Sequence, residues 1–254
     1  GEPGYRAKGD FMKMWKEGTD EFNGGVIYTV ENTERLGSED NEASLGTDFG
    51  NPIPEGADMR TVRLYVYPDY AHWPNEQPTK EPWVAFLPNS TQLRVTFNGA
   101  ELHDSQPDIP EPNIANQPVD VPDATEWNAS YATYCYDVTS YYNDTKGFDN
   151  WAKAVRLNYD QDPNTNYRYG IEGMALLIVY NDEDAPLTRY WVAEDRDLIY
   201  AKIDSNESTG FEYDECTRKV KFEGVNDARL ANATLKTVLA SYNPNKELYL
   251  EDEG

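Results

Sequence analysis

Apolar residues recur along this chain mostly at every second position, the period of a β-strand rather than a helix. From Thr61 to Tyr67, Val62, Leu64 and Val66 point one way and Arg63, Tyr65 and Tyr67 the other, which predicts a strand with one buried face. Leu93, Val95 and Phe97 repeat the pattern, and Asn98-Gly99 directly after them is a hairpin-turn signal. The longest apolar run, Met174 to Tyr180, does not alternate at all. It is too short to span a bilayer and rich in β-branched and aromatic types, so it predicts a strand buried on both faces. The acidic turn Asn181 to Asp184, with Pro186 beyond it, separates that run from strand-like Leu187 to Ala193. Tyr169 to Tyr200 is therefore expected to form the central hairpin.

Shorter segments complete the set. Gly24-Gly25 opens a strand from Val26 to Val30, Tyr134 to Thr139 and Trp151 to Asn158 read as strands, and Val220 with Phe222 forms another alternating pair. Leu235, Val238, Leu239 and Tyr242 fit both periods and are read here as a strand. Between them lie loops punctuated by Gly and Pro, notably Glu31 to Asp58, Pro68 to Pro82, and His103 to Asp123 with prolines at 107, 110, 112, 118 and 122. About nine short strands in such loops predict an all-β, jelly-roll-like β-sandwich with long Pro-rich loops. The expected organisation is an N-terminal segment over 1–23, a sandwich domain over 24–246 and an acidic tail over 247–254. The apolar cluster Phe11, Met12, Met14 and Trp15 in the first segment cannot bury itself locally, so it must dock on its own domain or on a neighbouring subunit.

Charge narrows the partners. Asp and Glu number 46 against 22 Lys and Arg, a net charge of −24, which repels phosphate backbones and anionic membranes. Nucleic-acid binding and direct membrane insertion are not expected. Hydrophobic residues make up only 39% of the chain while Tyr alone numbers 19, usage that suits strands with a wet face. Sequons at Asn89, Asn128, Asn143, Asn206 and Asn232 are candidate glycosylation sites. A first residue other than Met is consistent with a removed leader. Both features predict an extracellular, cell-surface protein, and in that compartment Cys135 and Cys216 form a candidate disulfide, with two buried free thiols as the plain alternative.

Five blocks, in this order, carry a resemblance: Val62 to Tyr67, Val95 to Gly99, Tyr134 to Thr139, Gly173 to Tyr180 and Tyr190 to Leu198. Together they resemble a family of archaeal, largely methanogen, surface proteins known as domain-of-unknown-function family 3344. The resemblance spans roughly residues 24 to 240. It implies an exported envelope component and carries over no catalytic residue.

Candidate chemistry is sparse. His72 and His103 lack Cys or His partners at ligand spacing, so neither a zinc site nor a hydrolase triad is expected, and no enzyme activity follows. No cofactor is required, and calcium is the one candidate. Asp160, Asp162, Asn164 and Asn166 place oxygen ligands at alternate positions as in the first half of an EF-hand loop, but Thr165 replaces the turn glycine and Ile171 the bidentate glutamate. A polar inter-strand loop explains the same residues. The acidic turns at 182–184 and 194–197 are further cation candidates, with solvated turns as the plain alternative. The reading is a secreted structural protein that assembles with itself, and with other envelope components, into a sheath, surface layer or filament through sheet-edge contacts. Phe11, Met14, Trp15, Val26 and Tyr28 are the assembly candidates. The alternative is a monomeric adhesin or carbohydrate-binding β-sandwich that uses its six Trp as stacking surfaces.

Overall fold

A computed structural model of the chain describes residues 14–30, 36–37, 44–73, 84–85, 88, 91–102, 133–157, 168–194, 220–225 and 231–237, with only the backbone described at 69–73, 84–85 and 168. Among these residues there are twelve strands: β1 (Met14–Lys16), β2 (Phe22–Thr29), β3 (Ser44–Gly50), β4 (Asp58–Trp73), β5 (Val84–Ala85), β6 (Leu93–Phe97), β7 (Ala100–Leu102), β8 (Tyr134–Asp137), β9 (Asn150–Arg156), β10 (Arg168–Asn181), β11 (Leu187–Thr188) and β12 (Val192–Ala193). They form a six-stranded sheet, β11-β2-β10-β4-β5 with β8 also on β4, a four-stranded sheet, β3-β9-β6-β7, and the ribbon β1-β12. All the pairings are antiparallel. The all-β sandwich-like fold expected from the periodicity is what the chain adopts.

The main core lies between the two sheets. Val62, Leu64 and Val66 of β4, Met174, Leu176 and Ile178 of β10, and Tyr134 and Tyr136 of β8 meet Leu45, Phe49, Val95, Phe97, Ala152 and Ala154 from the second sheet. β4 and β10 pair along nearly their whole length. Their register slips between Ile171 and Met174, where Gly173 takes a φ of 156°, and this bulge keeps both Ile171 and Met174 in the core. Pro68 sits opposite Ile171 at the edge of the same bulge, a place where a strand tolerates a missing N–H.

Local turn chemistry holds one end together. Asn98 (φ 48°) and Gly99 (φ 83°) make the tight turn of the β6–β7 hairpin, as their dipeptide predicts. Asn98 Nδ2 donates to Asn150 Oδ1 (2.8 Å), which also accepts from the Asn143 N–H (2.8 Å). Asn150 Nδ2 in turn donates to the carbonyls of Gly50 (3.0 Å) and Asn143 (2.9 Å). This fully buried amide uses all its bonding capacity, as a buried polar group must.

Four expectations need correcting. The turn after β10 forms, with the Ala185 N–H donating to the Asp182 carbonyl, but β11 pairs with β2 rather than with β10. β10 already has β2 on one edge and β4 on the other, so no edge is left for a hairpin partner. The Thr61 to Tyr67 strand is buried on both faces, because a further layer covers the side carrying Arg63, Tyr65 and Tyr67. Residues 220–225 and 231–237 contain no strand, and Leu235 is exposed rather than packed. The boundary drawn between 23 and 24 falls inside β2.

Candidate functional site

The outer face of the six-stranded sheet, turned away from the sandwich core, carries Tyr65, Tyr67, Cys135, Ala175 and Leu177, with Trp15, Val26, Tyr28 and Val192 packed against them. Alternation places the residues of the sheet there: Val26 and Tyr28 of β2, Tyr65 and Tyr67 of β4, Cys135 of β8, and Ala175 and Leu177 of β10 each adjoin a residue that packs into the main core. β1 and β12 lie over this face, with Met14 opposite Ala193 and Lys16 opposite Val192.

An ion pair is buried under that cover. Arg63 donates through Nε and Nη2 to the two carboxylate oxygens of Glu194, at 2.7 Å each. The Tyr65 hydroxyl donates to Glu194 Oε1 at 2.7 Å. The two charged side chains are 2% and 4% exposed. Forked guanidinium–carboxylate geometry and the third donor offset part of the desolvation that two buried charges incur. The Trp15 ring lies 3.9 Å from Arg63 Cζ and closes the guanidinium from above. Beside it, Tyr65 and Tyr67 stack at 6.5 Å with a 6° interplanar angle, and the Tyr28 and Tyr67 hydroxyls are 3.1 Å apart.

Burial sets the protonation states. It pushes the Tyr28 hydroxyl from its ordinary 10.0 up to about 12, against the lowering effect of its bond to Tyr67. Tyr65 and Tyr67 are raised further by desolvation, Tyr65 also by the neighbouring Glu194 charge. Burial, then the Glu194 carboxylate, likewise raises the Cys135 thiol. Burial opposes the Arg63 charge, but Glu194 more than offsets it and the guanidinium stays firmly protonated. Burial and the neighbouring carboxylate thus hold the thiol in its protonated form.

The candidates from the sequence fall into three groups. Met14, Trp15, Val26 and Tyr28 come together at this site, all four in contacts within their own chain. Cys135 is also here, a buried free thiol whose side chain faces the Arg63–Glu194 pair. Phe11, Cys216, Asn89, Asn128, Asn206 and the calcium candidates Asp160, Asp162, Asn164 and Asn166 lie outside the described residues. Asn143 is half-buried, and its Oδ1 accepts the Thr145 N–H of its own sequon at 2.9 Å; Asn232 is exposed. Glu194 is not a cation ligand or a solvated turn residue, because its carboxylate is engaged by Arg63 and Tyr65. No cluster of three or more potential metal ligands occurs among the described residues.

Sequence reasoning missed the Arg63–Glu194 pair. Its one visible signal was an arginine inside an otherwise apolar and aromatic strand; nothing in the sequence named a partner 131 positions away.

Among the described residues no helix is long and apolar enough to cross a membrane. The family model described as "Protein of unknown function (DUF3344)" matches residues 5–253. No curated protein matches the chain.

Proposed function

The chain belongs to the DUF3344 family, and from that premise we propose that it is a secreted structural protein of the archaeal cell envelope, assembling with itself into a sheath, surface layer or filament. One observation carries this reading. β1, a strand of three residues, covers the outer sheet face by pairing with the two-residue β12 and stacking Trp15 on Arg63, and only residues 17–21 join it to β2. A short strap that closes its own sheet can close a neighbour's by the same contacts, and exchange of an identical element is a low-cost route to association. The buried ion pair would then set the register of the docked strand, a role buried polar groups fill better than that of stabiliser.

The sequons, Asn143 and exposed Asn232 among them, and the acidic composition favour the cell surface as its location. The proposal gives the chain no catalytic role and no required cofactor; other envelope components are its expected partners. Removing residues 1–17 deletes β1 and leaves β2 whole. Electron microscopy of the purified protein should show ordered polymers for the full chain and folded, dispersed particles for the truncation. Ordered polymers from the truncated chain would overturn the exchange of the strap.

A further inference from the structure

The exposed face of the four-stranded sheet lies on the other side of the molecule and has no part in the reading above. Alternation along β3, β6, β7 and β9 turns Asp48, Arg94, Thr96, Glu101, Trp151 and Lys153 outward. Trp151 is 41% exposed, although tryptophan is highly buried on average. Asp48 stands directly across from it, and Lys153, two residues on, sits between Gly46 and Thr96.

The indole is held in place. Its edge leans over Gly46, where a Cβ would lie 3.3 Å from Cζ2, so the missing side chain lets the ring lie down on the sheet. The Trp151 backbone is pinned on both sides to Asn98: its N–H donates to Oδ1 at 2.9 Å and its carbonyl accepts the Asn98 N–H at 2.8 Å. The result is an aromatic platform with one side backed by β3 and the rest open, so little freedom is lost when a ligand lands on it.

We propose that this face binds a neutral saccharide, with the C–H face of a pyranose ring on Trp151 and its hydroxyls bonded to Asp48, Lys153, Thr96 and Arg94. Charge selects the class of ligand. The whole chain carries −24, yet Arg94 and Lys153 balance Asp48 and Glu101 on this face. An anionic ligand is repelled by the molecule as a whole, and a cationic one is drawn to its acidic remainder. A neutral polyhydroxylated ring meets neither bias and uses both parts of the surface, the apolar indole and the polar rim.

The test is calorimetric titration of the full chain with neutral gluco-, manno- and galacto-oligosaccharides. Saturable binding by at least one series is expected, weakened by about tenfold in Trp151→Ala, several-fold in Lys153→Ala and least in Trp151→Tyr. Trp151 is at the surface, so all three variants should keep the parent's circular dichroism. The proposal fails if no series binds or if Trp151→Ala binds as the parent does. It fails equally if Trp151→Ala abolishes self-association while no sugar binds, which would make the face a contact between copies. Neither result bears on the strap, which is tested by the truncation.

Discussion

At the scale of single residues, the Arg63–Glu194 pair sets the strongest expectations. Replacing Glu194 with Gln leaves a buried guanidinium without its counter-charge, and breaking a buried pair from one side typically costs about 3–5 kcal/mol. The double replacement Arg63→Met with Glu194→Leu should recover most of that loss in urea unfolding, because it removes both desolvated charges together. The buried phenols give a pH dependence. Tyr28 and Tyr142 are both raised to about 12, so the folded chain keeps protons that the unfolded chain releases above 10.0. Their stabilising contribution is complete below that value and is lost as pH rises through about 12; the raised Cys135 thiol moves the onset toward its ordinary 9.0. Unfolding midpoints should therefore fall steadily above pH 9–10, and Tyr28→Phe should flatten the decline.

At the scale of elements, β10 is the strand on which the others depend. It is paired on both edges and buried on both faces, with Leu176 and Ile178 in the inter-sheet core and Ala175 and Leu177 under the β1–β12 ribbon. Leu177→Asp puts an unpaired carboxylate beneath that ribbon and should destabilise the fold by more than about 4 kcal/mol. A mutant with the parent's thermal midpoint would mean that the ribbon does not seal this face. β2 meets β10 through Gly24 and Gly25, where an added Cβ would collide with the Tyr180 carbonyl and ring. Gly24, at φ 154°, is also in a conformation that side chains avoid. Of the glycine pair that reads in the sequence as a strand opener, Gly24 is thus required by close approach of two backbones and Gly25 makes room for the Tyr180 ring.

At the scale of the molecule, self-association has to overcome a charge of −24 on each copy. Repulsion between copies weakens as the screening length shrinks from about 30 Å at 0.01 M salt to about 8 Å at 0.15 M. Assembly through an apolar and internally neutralised contact such as Trp15 with Arg63 and Glu194 should accordingly increase with ionic strength, as light scattering would record. Assembly that dissolves on adding salt would point instead to paired surface charges as the contact.

Strand periodicity, turn chemistry and the doubly buried run at Met174 to Tyr180 were legible in the sequence because each depends on neighbours in the chain. So were the all-β class, the Asn98-Gly99 hairpin and the family resemblance, whose blocks coincide with β4, β6, β8 and β10 and end across β12. The candidate site was legible in part: Met14, Trp15, Val26 and Tyr28 stood out as apolar residues needing a partner, without any sign of what that partner was. Which strands become neighbours is decided by competition for a limited number of sheet edges, and that competition separated β11 from β10. Likewise, no local pattern distinguishes a wet tyrosine face from one roofed by a distant ribbon. Tertiary structure alone brought Glu194 over Arg63, sealed Cys135 as a free thiol and left Trp151 open on the opposite sheet, because burial is a property of what packs above a residue and not of the residues beside it.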